Sequence, residues 1–220
     1  MNPIELVIFD CDGVLIDSEG LSAEVLLALL ADQGLTLDFD YFCVNFVGRS
    51  FHTVADDIRR TFDMDLPIGF EDAYRTKLLE AFEARLQPTP GIKEAVARLR
   101  PAYCVATSSS PKRAHNSLRI AGLTEVFGAN VFTASQVNLG KPAPDLFLFT
   151  AEQMGVDPAA CLVIEDSLPG IDAAVGAGME VLRFTGGAHL RNRRLKHRMT
   201  IRTFDNWPDL FQLMPSLEAR

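Results

Sequence analysis

Five short apolar segments, each followed by polar or acidic residues, limit the fold of this 220-residue chain more than any other feature. They span residues 6–9, 103–106, 131–133, 162–164 and 181–184. A short continuous apolar run is typical of a strand that is buried on both faces. Helix-period apolar patterns separate the runs. The alternation predicts an α/β fold with a doubly wound parallel sheet, that is, a Rossmann-like core.

Residues 18–86 break this alternation, because they carry helical patterns and no strand signal. The first of these helices is predicted to bury a face formed by Leu21, Val25, Ala28 and Leu29. The prolines of residues 88–91 then end the helical stretch. We therefore predict an all-helical cap domain, residues 16–88, inserted into a core made of residues 1–15 and 89–220. Its two connections should lie close together and could act as a hinge.

Composition excludes several classes of protein. A formal net charge of −8 argues against a broad nucleic-acid surface. No apolar run approaches the roughly 18 residues of a membrane span, and the N-terminus lacks a signal-peptide pattern. Four scattered cysteines without a CxxC pair indicate reduced thiols, so we expect a cytoplasmic protein. We also expect a monomer or a weak dimer. The basic stretch at residues 191–198 is predicted to be a solvated surface segment.

The first candidate motif is Asp10-Cys11-Asp12-Gly13, directly after the first strand. Strand alternation turns the Asp10 and Asp12 side chains to the same side. Two such carboxylates suit a division of labour, in which one attacks phosphorus and the other moves a proton to and from the leaving group. Taken alone, the motif fits a solvated turn better than a catalytic site.

Two further motifs could hold a phosphate group. Thr107 and Ser108 follow the second strand, at a helix start where hydroxyl and backbone N–H groups can bind an anion. Lys141 lies before two prolines that would fix its charge near a transferring phosphoryl group. The alternatives are an ordinary helix N-cap for the hydroxyls and an exposed surface lysine.

The fourth motif, Glu165-Asp166-Ser167, follows a buried strand. Adjacent buried acids need a neutralising cation, and their hard oxygen atoms suit Mg²⁺. The alternative is a helix N-terminus capped by Ser167, with the acids stabilised by the helix dipole. Since the carboxyl ends of parallel strands share one edge of the sheet, we expect all four motifs to converge there.

These motifs, in this order, resemble those of the haloacid dehalogenase superfamily, in the β-phosphoglucomutase-like branch with a helical cap. The opening Phe9-Asp10-Cys11-Asp12-Gly13 is also similar to that of 6-phosphogluconate phosphatases. The resemblance covers nearly the whole chain. It implies a Mg²⁺-dependent phosphatase that acts on a small phosphorylated metabolite, such as a sugar phosphate or phospho-sugar acid.

The resemblance also implies individual roles. Asp10 would be the nucleophile that forms a phospho-aspartate, and Asp12 the general acid and base. Thr107 and Lys141 would bind the transferring phosphate. The Mg²⁺ ion would be held by the groups at four positions, namely Asp10, the backbone carbonyl of Asp12, Asp166 and, directly or through water, Glu165.

Two other functions stay open. The sugar phosphomutases of this branch carry a histidine where this chain has Ser22, and their cap arginine is placed differently from Arg49. These departures favour a phosphatase over a mutase, and a non-catalytic phosphate-binding protein is the third reading. Arg49, His52 and Lys77 are the cap candidates for contacting the substrate, and the alternative for each is an exposed side chain.

Overall fold

The computed structural model describes residues 3–191, 193 and 197–219, and in that part of the chain six strands form one parallel sheet. The strands are β1 (Leu6–Phe9), β2 (Ala102–Thr107), β3 (Val131–Thr133), β4 (Cys161–Glu165), β5 (Glu180–Phe184) and β6 (Thr203–Phe204). Their spatial order is β3-β2-β1-β4-β5-β6. Strand β1 has β2 on one side and β4 on the other, so the strand order changes direction at β1. The carboxyl end of β1 is therefore the switch point, where such sheets bind ligands. The predicted doubly wound parallel sheet is confirmed.

Strand β1 shows why its sequence is apolar throughout. All four of its residues are fully buried. Val7 and Phe9 pack into the hydrophobic cluster on one face of the sheet, while Leu6 and Ile8 pack into the cluster on the other. Because helices cover both faces, no position of this strand can be polar before Asp10.

Ten α-helices surround the sheet in the described residues. They are α1 (Glu19–Asp32), α2 (Phe39–Asn45), α3 (Phe51–Phe62), α4 (Phe70–Arg85), α5 (Ile92–Ala97), α6 (Pro111–Ile120), α7 (Thr124–Phe127), α8 (Asp145–Met154), α9 (Leu168–Gly176) and α10 (Trp207–Leu213). Helices α1 to α4 follow one another between β1 and α5, with no strand among the described residues there. The division into a core and a cap domain at residues 16 and 88 stays a prediction.

The predicted buried face of α1 is confirmed at Leu29 and wrong at Ala28. Ala28 is exposed, and Leu21 and Val25 are only partly buried. The buried positions are Glu19, Ser22, Ala23, Leu26, Leu29 and Leu30. Apolar residues occur on nearly every side of this helix, so its periodicity does not select one face.

The chain enters and leaves the α1–α4 segment through one short neck. The amide of Asp17 donates to the carbonyl of Gln87 at 3.0 Å, and the amide of Thr89 donates to the carbonyl of Leu15 at 2.9 Å. Trp207 Nε1 donates to Thr89 Oγ1 at 3.1 Å, which ties α10 to the neck. The two connections are therefore adjacent, as the sequence predicts.

In the described part of the chain no helix is both long enough and apolar enough to cross a membrane. All four cysteines are buried with free thiols.

Candidate active site

The carboxyl ends of β1, β2 and β4 meet around Lys141. Its Nζ lies 2.5 Å from Asp10 Oδ1 and 2.8 Å from Glu165 Oε1, and it donates to the carbonyl of Ala106 at 3.2 Å. The side chain of Lys141 is fully buried. Neighbouring strand ends thus deliver two acids and an acceptor to one buried cation, as the convergence of the motifs predicts.

Three acids form a cluster beside this lysine. Asp10, Glu165 and Asp166 are all buried, and each offers an oxygen atom within 4.8 Å of the others. Burial raises the pKa of Asp10 well above its usual value, although Lys141 opposes the shift, and burial together with Glu165 does the same for Asp166. One lysine cannot balance three buried carboxylates. A divalent cation would neutralise the excess charge, and the donor set, all carboxylate oxygen, fits such an ion.

Glu165 is held in place from two sides. Its Oε1 accepts from Lys141, while its Oε2 accepts from the backbone amide of Ser167 at 2.7 Å and from the Ser167 hydroxyl at 2.9 Å. Ser167 Oγ also caps α9 by accepting from the amide of Gly170. The N-cap predicted for Ser167 and the acidic site predicted for Glu165 therefore hold together.

Asp12 lies beside the cluster but its carboxylate is bound elsewhere. Ser18 Oγ and Arg113 Nη2 donate to its Oδ1 at 2.7 and 2.8 Å, and Ser109 Oγ donates to its Oδ2 at 2.7 Å. Burial acts to raise the pKa of Asp12, but Arg113 and the two hydroxyls outweigh it, so the pKa lies below its usual value. Asp12 is therefore a charged proton acceptor at neutral pH in this arrangement.

The phosphate candidates of the β2 end occupy the same region. Thr107 is buried, and its hydroxyl accepts from the amide of Ser109 at 3.1 Å. Ser108 Oγ donates to the carbonyl of Gly48, in the loop before α3, at 3.1 Å. Both residues line the cavity described next. Ser108 thus joins the β2 end to the helical segment.

A cavity of about 790 Å³ opens above these residues. Asp10, Asp12, Thr107 and Lys141 line it at the sheet end, and the α1–α4 segment lines the other side. Five rings contribute to that side, namely those of Phe42, Phe46, Phe51, Tyr74 and Phe82. The residues at the sheet end are thus polar, whereas the opposite wall combines these rings with charged side chains such as Glu71 and Arg75.

Two of the three cap candidates line this cavity, Arg49 and His52. Arg49 Nε is buried and has no hydrogen-bond partner in the described residues, so a donor is available to a ligand. Lys77 is exposed and is not a lining residue. The lining residues Glu71, Arg75 and Leu79 share one side of α4, and Lys77 lies on the other side of that helix.

Sequence reasoning missed three residues of this region. Arg113 on α6 reaches Asp12 and also donates to Ser22 Oγ at 3.1 Å, and nothing marks this arginine in the sequence. Glu19 lines the cavity, and burial with the nearby charge of Asp12 raises its pKa to about 8. His189, after β5, is buried against Asp166. The burial of Glu19 could not be read from the sequence.

Two described arginines of the basic stretch pair with acidic residues of helices α2 and α9. Arg193 pairs with Asp40 of α2 at 2.7 Å, and Arg198, exposed, pairs with Asp172 of α9 at 3.1 Å. Arg194 and Lys196 lie outside the described residues.

Comparisons with known proteins agree with this geometry. Residues 4–178 match the haloacid dehalogenase-like hydrolase family. The 6-phosphogluconate phosphatase of Escherichia coli is 26% identical over 198 residues, which are 90% of this chain and 89% of that protein. A phosphorylated carbohydrates phosphatase of Thermotoga maritima is 32% identical over 197 residues, 86% of this chain and 88% of that protein.

A solved structure gives the same result. The crystal structure of a haloacid dehalogenase-like protein from Agrobacterium tumefaciens has a TM-score of 0.79 and 30% sequence identity, and the match covers 97% of this chain and 98% of that chain. The chain belongs to the haloacid dehalogenase-like hydrolase family. The family predicted from the motifs is confirmed.

Proposed function

We propose that this protein is a Mg²⁺-dependent phosphatase that hydrolyses a small phosphorylated metabolite through a phospho-aspartate on Asp10. The observation that carries the proposal is the contact of Lys141 with Asp10 and Glu165, beside Asp166, at the floor of the cavity. The names of the two relatives support a phosphorylated carbohydrate, a sugar phosphate or a phospho-sugar acid, as the substrate.

Each residue has a chemical task in the first step. A carboxylate oxygen of Asp10 forms a bond to phosphorus while the ester P–O bond breaks. Lys141, and Thr107 at the β2 end, would hold the phosphoryl oxygens. Asp12 would pass a proton from solvent to the departing ester oxygen, which leaves Asp12 charged again for the second step.

The second step restores Asp10. A water molecule gives a proton to the Asp12 carboxylate, its oxygen bonds to phosphorus, and the bond between phosphorus and Asp10 breaks. The charged state of Asp12, bound by Ser18, Ser109 and Arg113, suits this acceptor role.

Asp10, Glu165 and Asp166 would hold the Mg²⁺ ion, with the backbone carbonyl of Asp12 as a further ligand. When bound, the ion would supply positive charge against the phosphoryl oxygens. Arg49 and His52 would contact the body of the substrate from the helical side of the cavity.

The proposal is tested with Asp10→Asn, which keeps the shape of the side chain and removes the nucleophile. Phosphate release from an aryl phosphate with Mg²⁺ should fall to background, whereas Asp32→Asn, an exposed aspartate of α1, should keep its activity. After an acid quench, mass spectrometry should find a phosphoryl group on the wild-type peptide that contains Asp10. Full activity of Asp10→Asn would refute the nucleophile.

The absence of the mutase histidine at Ser22 supports hydrolysis over isomerisation. A hexose 1-phosphate given together with its bisphosphate separates the two functions. Isomerisation without net phosphate release would identify a mutase, and steady release would identify a phosphatase.

A further inference from the structure

The end of strand β5 adds a histidine to the acidic cluster. His189 is 1% exposed, and its Nε2 lies 2.9 Å from Oδ2 of Asp166, which is also 1% exposed. The two atoms are close, yet their geometry is not that of a hydrogen bond. Both ring nitrogens of His189 and Oδ2 of Asp166 are buried with no hydrogen-bond partner in the described residues. Such orphaned polar atoms call for an explanation.

His189 stands behind the acidic cluster rather than in it. The acids Asp10, Glu165 and Asp166 bring ligand atoms within 4.8 Å of one another, and among the described residues His189 is not part of any such group of three or more. The histidine thus faces a single member of the cluster. A metal-ligating carboxylate is usually hydrogen-bonded in turn by a partner that orients it.

Two glycines make room for this pair. A Cβ atom at Gly13 would collide with Oδ2 of Asp166 and lie 2.9 Å from Cε1 of His189. A Cβ atom at Gly187 would lie 2.9 Å from both Nδ1 and Cε1 of the ring. Gly187 has φ −61°, which any residue can adopt, so the imidazole and the equally close carbonyl oxygen of Gly13, and not the backbone conformation, require glycine there.

Hydrogen bonds hold both the loop that carries His189 and the backbone of Asp166 in place. The amide of Ala188 donates to Asp17 Oδ1 at 3.0 Å, at the neck. Arg193 Nη1 donates to the carbonyl of His189 at 3.3 Å. On the other side, Arg183 Nε donates to the backbone carbonyl of Asp166 at 3.0 Å. Both residues are therefore held face to face by contacts that do not use the imidazole or the carboxylate.

We propose that His189 is a positioning residue of the metal site, whose Nε2–H donates to Oδ2 of Asp166 and so turns the other oxygen of that carboxylate toward the metal ion. The inference rests on the metal site of the proposed function. A small ring rotation, within the space left by Gly13 and Gly187, is enough to bring the two close atoms into hydrogen-bond geometry.

The test measures Mg²⁺ binding to the metal-free protein by isothermal titration calorimetry, without substrate. His189→Leu should weaken the affinity by about 10- to 100-fold, the usual effect of losing such a partner. His189→Gln places an amide N–H close to the position of Nε2 and should remain within about threefold of wild type. His189→Asn places its amide near the position of Nδ1 and should bind as weakly as His189→Leu.

His197→Leu is the matched control. Its side chain is 6% exposed, and its Nε2 lies 3.1 Å from Asp172 Oδ1, far along α9 from the acids. This variant loses a similar histidine–aspartate contact and should bind Mg²⁺ like wild type. Thermal unfolding in EDTA accompanies each titration, so that loss of folding is separated from loss of affinity.

Two results would overturn the inference without affecting the proposed function. Equal Mg²⁺ affinity of wild type and a folded His189→Leu variant would remove the positioning role and leave the phosphatase proposal intact. Equal weakening in His189→Gln and His189→Leu would do the same, because the donor at Nε2 would not matter. If wild type itself binds no Mg²⁺, the metal site of the proposed function fails together with this inference.

Discussion

Arg113 shows how one side chain can decide the charge of another. It is the cation that contacts Asp12, and its guanidinium also lies over the ring of Phe82, with Cζ 5.5 Å from the ring centroid. Its side chain is 23% exposed and that of Asp12 is 14% exposed. Water therefore screens this ion pair less than it screens a surface pair.

We expect Arg113→Met to lower the free energy of unfolding by about 1.5–3 kcal/mol near neutral pH, the usual worth of a hydrogen bond to a charged group. The folded-state pKa of Asp12 is depressed, so its stabilisation is present above the unfolded pKa of about 3.9 and is lost as the pH falls through the folded value. The difference between variant and wild type should therefore shrink toward about pH 3. Urea unfolding at both pH values measures it.

Arg98→Met is the control at this scale. Arg98 also lies over a phenylalanine ring, that of Phe211 at 4.2 Å, but its ion pair with Glu218 joins side chains that are 44% and 42% exposed. An exposed pair contributes at most about 1 kcal/mol. If both variants lose the same stability at neutral pH, the Arg113 contact is no stronger than a surface ion pair.

At the scale of elements, the loop between α2 and α3 lies directly against the turn between β4 and α9. Gly48, with φ +77°, is so close to Ser167 that a Cβ atom there would collide with the hydroxyl oxygen and lie 2.5 Å from Ser167 Cβ. Ser108 Oγ contacts the carbonyl of the same glycine. The helical segment therefore needs a glycine at this position to approach the loops that follow β2 and β4.

Gly48→Ala should lower kcat/KM by about tenfold or more, because a methyl group would hold the helical segment away from the site. Steady-state phosphate release measures the change. Gly34→Ala is the matched control, since Gly34 also has a positive φ, +89°, but no atom within 4 Å of the added methyl. Both variants carry the same left-handed strain of about 1–2 kcal/mol. Equal activity of the two would show that the close approach does not matter.

The elements also show where sequence patterns succeed and fail. Strands β1 and β4 were predictable because burial on both faces demands an unbroken apolar run. The buried face of α1 was not, since Glu19 and Ser22 on that face line the cavity instead of packing in the core. The short elements α2, α7 and β6 were not predicted, as a few residues carry too little periodicity.

The candidate site divides in the same way. Asp10 and Glu165 stand in short motifs at strand ends, and parallel strands bring such ends together whatever the rest of the chain does, whereas Lys141 stands in a short motif in the loop between β3 and α8. Arg113 and His189 depend on how a helix and a loop pack, over 101 residues of chain in the case of Arg113 and Asp12. No local pattern encodes such contacts.

For the whole molecule, stability should depend on the proton of Glu19. Its pKa is raised from 4.5 to about 8 in the folded protein, chiefly by burial. Because the pKa is higher in the folded state, the neutral form of Glu19 contributes stability at low pH. That stability is lost progressively as the pH rises from the unfolded to the folded pKa, at up to about 1.4 kcal/mol per pH unit. Glu19→Gln should therefore gain stability over wild type as the pH rises from about 5 to about 8.

Urea unfolding in EDTA across this range measures the effect without metal binding. Glu24→Gln is the control, because Glu24 on the same helix is exposed, and the hydrogen bond from Arg85 lowers its pKa instead. Above about pH 5 both its folded and unfolded states are ionised, so its difference from wild type should be constant. Parallel curves for wild type and Glu19→Gln would contradict the prediction.

The neck formed by residues 15–17 and 87–89 has a further consequence for how proteins of this kind can diverge. The two ends of the α1–α4 segment meet across a pair of backbone hydrogen bonds. The segment between them can therefore be lengthened, shortened or exchanged at little cost in chain entropy. Such a change would leave β1 and β2 in register, and Asp10 where it is. The helical segment and the sheet that carries Asp10 can thus change independently within one polypeptide.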